Sequence, residues 1–252
     1  TLEINGERPA IAAIEIERDD RVPTLYLIGD STVCDQPAEP WTSWGQMLPR
    51  FFGPTIAIAN HAQSGESIRS SLGARRFDKI YAHLRAGDFL MLQFGHNDMK
   101  ATAPNAIDQY EADLRDIVRN VRERGATPLL VTPMERRTGI ETETLAGYPD
   151  RVRRVAAEEK VALIDLHALS RRFYRALDDE LDAAFVDGTH HNGYGSYQLA
   201  WAIADAIRDG IPELAGHLAD DFGNWDPDHP TPPAAFRVPP SPQVSNIAPP
   251  GN

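Results

Sequence analysis

From Thr24 onward, short continuous apolar runs alternate with segments whose apolar residues recur every three or four positions. The runs cover residues 24–28, 55–60, 89–94, 128–132 and 161–165, most of them bounded by Gly, Pro, Asp or Asn. Their length is that of a strand rather than a helix, and they are apolar at nearly every position instead of every second one. That pattern predicts strands covered on both faces, as in a parallel sheet. Between and after them, helical spacing predicts helices over 44–52, 77–84, 110–124, 148–160, 167–177 and 193–209. The clearest is 110–124, where Leu114, Ile117, Val118 and Val121 share one face and Gly125 follows as a C-terminal stop.

Strand and helix in alternation predict an α/β fold, a three-layer α/β/α sandwich with a parallel central sheet and flavodoxin-like winding. The expected organisation is a lead-in over 1–23, one domain over 24–225 and a tail over 226–252. Residues 1–21 read as strand-like, either a lead-in or the end of an upstream domain. After Asp226 the chain turns proline-rich, from Pro227 to Pro250, and cannot build a core of its own. The tail is expected to lie extended along the domain or to be disordered.

Composition narrows the partners. Across 252 residues, 25 Lys and Arg stand against 37 Asp and Glu, a formal net charge of −12. Bulk attraction to nucleic-acid phosphates or to an anionic membrane is therefore not expected, although a local basic cluster could still hold an acidic polysaccharide. No apolar run approaches the length of a membrane-spanning helix. A single cysteine, Cys34, excludes an internal disulfide. The first residues lack a basic region followed by an apolar one, the pattern of a secretory leader.

The chemistry gathers where the runs end. Gly29-Asp30-Ser31-Thr32 follows the first, Gly65 the second and Gly95-His96-Asn97-Asp98 the third, while Asp187-Gly188-Thr189-His190 follows the last. Loops at the carboxyl edge of a parallel sheet are where such folds build sites. Ser31 is the candidate nucleophile, which needs a base to take its proton. His190 is the candidate base, and Asp187, three residues before it, the carboxylate that fixes its tautomer. Ser31 N–H, Gly65 N–H and the Asn97 amide are the candidate oxyanion donors.

These blocks resemble the SGNH, or GDSL-like, hydrolase superfamily, with Ser31, Gly65, Asn97 and His190 in its four signature positions. More narrowly, the chain resembles the rhamnogalacturonan acetylesterases. That resemblance rests on Gly29–Thr32, Asn60-His61-Ala62-Gln63-Ser64-Gly65, Phe94–Asp98, Thr132-Pro133-Met134-Glu135-Arg136-Arg137 and Asp187–Asn192, and spans about Thr24 to Arg208. Ser196 stands where relatives often carry Ala. The resemblance implies removal of O-acetyl groups from pectin side-chain polysaccharide or its oligosaccharides, through an acetyl-enzyme, without a metal or other cofactor. Acetylated xylan and small esters are the alternative substrates. Such a substrate implies a periplasmic or secreted enzyme.

Other residues have competing readings. Arg136 and Arg137 follow a strand and could grip a uronate carboxylate, or form surface ion pairs. His96 and His61 could touch substrate, or brace loops. Asp30 and Asp98 read as turn anchors. Trp41 and Trp44 could stack on sugars, with Trp44 favoured as packing. Arg151, Arg153 and Arg154 read as a solvated helix face. A paired-carboxylate glycosidase and a non-catalytic carbohydrate-binding protein are the rival classes. Neither needs a serine, a histidine and an oxyanion hole together.

Overall fold

The structure, a computed structural model, describes residues 10–15, 19, 21–239, 241 and 243–250. Its five strands are β1 (Thr24–Gly29), β2 (Ala57–Asn60), β3 (Phe89–Gln93), β4 (Thr127–Val131) and β5 (Ala162–Ile164). They form one sheet in the order β2-β1-β3-β4-β5, with every neighbouring pair parallel. The chain steps outward from β1 to β2, then returns to place β3 on the other side of β1. Folds of this kind build their sites at such a reversal, at the carboxyl ends of the strands, here those of β1 and β3.

Continuous apolar runs are explained by what covers them. Leu25, Leu27, Phe89, Met91, Leu129, Val131 and Ile164 face one core. Tyr26, Ile28, Leu90, Leu92 and Leu130 face the other. The first core is closed by α1 (Trp44–Met47), α6 (Leu166–Leu177), α7 (Gly193–Gly210) and α8 (Pro212–Ala215). The second is closed by α2 (Ile68–Gly73), α3 (Arg76–Tyr81), α4 (Ala106–Glu123) and α5 (Tyr148–Glu159). This is the expected three-layer α/β/α sandwich. Truncating a central residue such as Leu90 to Ala would cost about 2–5 kcal/mol, because neither covering layer can collapse into the gap.

Three local expectations change. The helix expected over 44–52 stops at Met47 and tightens into a 3₁₀ turn over Leu48–Phe51, with Pro49 inside it. Proline cannot donate to the preceding turn. The helix expected over 77–84 is α3, which ends at Tyr81, and a second short helix that was not expected, α2, precedes it across Arg75, whose φ is 58°. α2 opens on a reciprocal cap in which Ser67 and Ser70 bond each other's backbone N–H. Residues 10–15 form no strand, and Ile11 and Ile14 stand exposed. Three apart, they cannot share a strand face. The remainder of that strand-like stretch lies largely outside the described residues.

The proline-rich segment runs along the domain. Phe236 packs on the rings of Tyr194 and Tyr197, Tyr194 Oη donates to Thr231 O, and Val244 bridges in parallel to Glu39.

Candidate active site

β1 ends in a turn that only glycine permits. A Cβ on Gly29 would lie 2.5 Å from the Gln93 carbonyl oxygen and 2.5 Å from Val33 Cγ2. Beyond it, Val33 and Cys34 N–H both donate to Asp30 O, at 3.1 and 3.0 Å. The buried Asp30 carboxylate accepts from Thr32 N (2.9 Å), Thr32 Oγ1 (2.7 Å) and His96 Nδ1 (3.3 Å). Burial opposes its charge, but His96 and these hydrogen bonds outweigh burial and hold it below the usual carboxylate range. The turn is thus bolted from beneath, and Ser31 sits above it, buried against His190. Gln36 Nε2 fixes the Ser31 carbonyl at 2.7 Å.

Ser31 Oγ lies 2.8 Å from His190 Nε2, and His190 Nδ1 lies 2.9 Å from Asp187 Oδ2. Asp187 Oδ1 accepts from Thr189 N and His190 N, both at 2.7 Å. One carboxylate oxygen therefore closes the turn, and the other orients the ring. Burial pushes the Asp187 pKa up, but the hydrogen bonds from His190 and Thr189 prevail and hold it far below its ordinary value. With Asp187 ionised, Nδ1 keeps the proton and Nε2 is left to accept from the serine. His191, the neighbour that sequence alone could confuse with the base, points into the first core. Its Nε2 meets Tyr174 Oη at 2.8 Å, and burial pushes its pKa down to about 3.

The other two oxyanion candidates lie in the loops that follow β2 and β3. Gly65 takes φ 83°, a left-handed conformation that a side chain would strain. Asn97 Nδ2 donates to Glu66 O at 3.0 Å, which joins the Asn97 loop to the residue after Gly65. Lys100 Nζ holds Asn97 Oδ1 at 3.0 Å, which settles which end of the amide is which. Asp98 ties the two loops together by accepting from Ile68 N at 2.9 Å, and burial pushes its carboxyl up to about 7.

The remaining candidates separate. His96 is buried and braces a loop, with Nδ1 on Asp30 and Nε2 donating to Met134 O at 2.9 Å. No ring nitrogen is left for a substrate. Arg137 pairs with Asp182 at the surface, and its N–H holds Gly188 O of the Asp187 turn. Arg136 stays at the site: Nη2 reaches His96 O at 3.3 Å, while Nε is buried without a hydrogen-bond partner. Trp44 is packing, its Nε1 bonded to Gln93. Trp41 instead stands edge-on to His190, with ring centroids 5.6 Å apart. Sequence reasoning overlooked Lys100, Gln36 and the Trp41–His190 contact. Only Lys100 had a signal, three residues beyond Asn97.

A hydroxyl, an imidazole and a carboxylate in line at the carboxyl edge of a doubly wound sheet make the arrangement of an α/β ester hydrolase. Comparison with known proteins agrees. A model of the GDSL-like lipase/acylhydrolase family matches residues 27–233, and the chain belongs to that family. It is 34% identical over 214 residues to rhamnogalacturonan acetylesterase RhgT of Bacillus subtilis, covering 78% of this chain and 92% of that one. Among solved structures, YxiM of B. subtilis superposes with a TM-score of 0.68 at 30% identity, over 74% of this chain and 56% of that one. Axe2, an acetylxylan esterase from Geobacillus stearothermophilus, shares the fold with a TM-score of 0.58 at 20% identity, over 74% and 96%.

Proposed function

We propose that this chain is a carbohydrate O-acetylesterase whose substrate is acetylated plant cell-wall polysaccharide, rhamnogalacturonan before xylan. The observation that carries the mechanism is the relay Ser31 Oγ–His190 Nε2–Asp187, at 2.8 and 2.9 Å. Ser31 Oγ attacks the acetyl carbonyl as its proton passes to His190 Nε2, and Asp187 stabilises the imidazolium. Ser31 N–H, Gly65 N–H and Asn97 Nδ2 meet the oxyanion. As the tetrahedral intermediate collapses, His190 returns the proton to the departing sugar oxygen and an acetyl-serine remains. Water, deprotonated by His190, then attacks that ester; acetate leaves and the proton returns to Ser31.

The preference for an acidic polymer is supported by charge. Lys100 and Arg136 border Asn97 in a chain that is acidic overall. The Arg136 guanidinium beside this loop is of the charge and shape that suit a uronate carboxylate next to the acetylated sugar. The similarity to RhgT points the same way. With such a substrate the enzyme works in the periplasm or outside the cell.

Acetate release from acetylated rhamnogalacturonan, acetylated xylan and p-nitrophenyl acetate, wild type beside Ser31→Ala, tests both levels. Loss of about 10⁴-fold or more in Ser31→Ala is expected on every substrate. Wild-type rates in Ser31→Ala would end the mechanism, and a preference for xylan would end the substrate assignment. Arg136→Ala should weaken activity on the galacturonate polymer about tenfold more than on p-nitrophenyl acetate. Equal losses would remove its binding role.

A further inference from the structure

Trp41 connects the C-terminal tail to the candidate base. It lies in the irregular loop between β1 and α1, and among the described residues four hydrogen bonds tie that loop to the tail. Glu39 N–H donates to Gln243 O at 2.9 Å, and Ser245 N–H donates back to Glu39 O at 2.7 Å. Ser241 N–H donates to Glu39 Oε1 at 2.7 Å, and the Trp41 indole N–H donates to Ser245 O at 3.1 Å. On its other side Trp41 meets His190, with ring planes at 82°. The region matched by the family model ends at residue 233, so the tail's half of this assembly lies beyond it.

A general base must keep one orientation while its charge changes. Asp187 holds the His190 ring at Nδ1 and Ser31 meets it at Nε2, and about the line joining those two atoms a ring can still tilt. A rigid aromatic neighbour at right angles to the imidazole blocks that tilt and keeps water from its flank. Trp41 lies in no strand or helix; Thr42 N–H on His191 O and Thr42 Oγ1 on Ser196 Oγ anchor its backbone, and the tail holds the indole itself.

We propose that segment 241–245 is a buttress for the base: it seats Trp41 against His190, making Trp41 a positioning residue for proton transfer from Ser31. This rests on the serine-esterase reading, whose own failure would show separately as activity surviving in Ser31→Ala. The buttress acts on an oriented ring, so its loss should slow the chemical step and leave small-ester binding alone. A tail that served as a wall for substrate would do the reverse.

The test uses full-length variants on p-nitrophenyl acetate. Glu39→Ala/Ser245→Pro removes the acceptor for Ser241 N–H and the donor to Glu39 O, two of the four bonds, and so loosens the tail. Trp41→Phe keeps a ring beside His190 but removes the indole N–H bonded to the tail. Each should lower kcat about tenfold with KM unchanged, and Trp41→Ala, lacking the ring, about 100-fold. Inactivation by phenylmethylsulfonyl fluoride, which reports Ser31 reactivity directly, should slow in parallel. Combining tail loosening with Trp41→Phe should add little to either alone, since both cut one connection. Wild-type kcat in Trp41→Phe, a loss confined to KM, or losses that multiply in the combined variant would each overturn the proposal. Should the loosened-tail variant melt near assay temperature, the kcat and KM of Trp41→Phe decide alone.

Discussion

Two carboxylate–histidine pairs in this molecule are alike in their first contact and opposite in what lies beyond it. His190 meets Asp187 at 2.9 Å, and His167 meets Glu135 at 3.1 Å. Past His190, the second ring nitrogen faces the Ser31 hydroxyl, which has a proton to give. Past His167, it faces the Arg153 guanidinium at 3.1 Å, which donates but cannot lend its proton to chemistry. The carboxylates differ as well. Asp187 is partly accessible, whereas Glu135 is fully buried and receives Arg136 N–H, Thr144 N–H, Thr144 Oγ1–H and the His167 ring. The pair alone therefore defines neither a base nor a brace. The group on the far nitrogen decides: a hydroxyl makes the pair a proton relay, and a guanidinium makes it a bolt for the loop carrying Arg136.

The comparison can be broken most forcefully at Asp187. In Asp187→Asn the amide no longer favours the tautomer with the proton on Nδ1, and kcat should fall about 10⁴-fold with the melting temperature little changed. A loss of stability without a loss of rate would reduce this pair to a second bolt. The converse substitution, Glu135→Gln, sets an amide NH₂ among donors only. It should cost about 3 kcal/mol, a drop of roughly 10 °C in a chain this long, with kcat nearly intact. Thermal melts read beside initial rates would show whether the two effects separate in this way.

The smallest expected effect lies in acid. Burial opposes the Glu135 charge, but hydrogen bonds from His167, Thr144 and Arg136 prevail and bring its pKa down from 4.5 to about 2. A carboxyl depressed on folding lends stability that is complete above its unfolded value and is lost as pH falls through the folded one. Urea midpoints of the wild type should thus decline between about pH 4.5 and 2. The Glu135→Gln midpoints should decline less steeply there. Parallel curves would mean that Glu135 is not the group responsible.

What was legible in the sequence follows from how locally each feature is encoded. β1 and β3 were visible because burial on both faces leaves unbroken apolar runs, and Ser31, Gly65 and Asn97 because each sits just after such a run. α2 was invisible: six residues opened by a serine cap carry no long apolar period. His96 shows another limit. It adjoins Asn97 in sequence, yet at a strand end consecutive side chains leave in different directions, and it bonds Asp30 beneath the turn instead of facing the cleft. The contact between Trp41 and Ser245 joins residues 204 apart, with no periodicity to announce it.

The strand order has a further consequence for how the molecule opens. Among the described residues β2 is an edge strand, paired only with β1, whereas β1 is held on both sides. The loop bearing Gly65 is moored to β1 by His61 N–H on Leu27 O and Gln63 N–H on Gly29 O. In amide hydrogen exchange, β2 should therefore open before β1. Heat would then dismantle the oxyanion pocket before it exposes the nucleophile's strand, so turnover fades at a lower temperature than that at which the sheet melts.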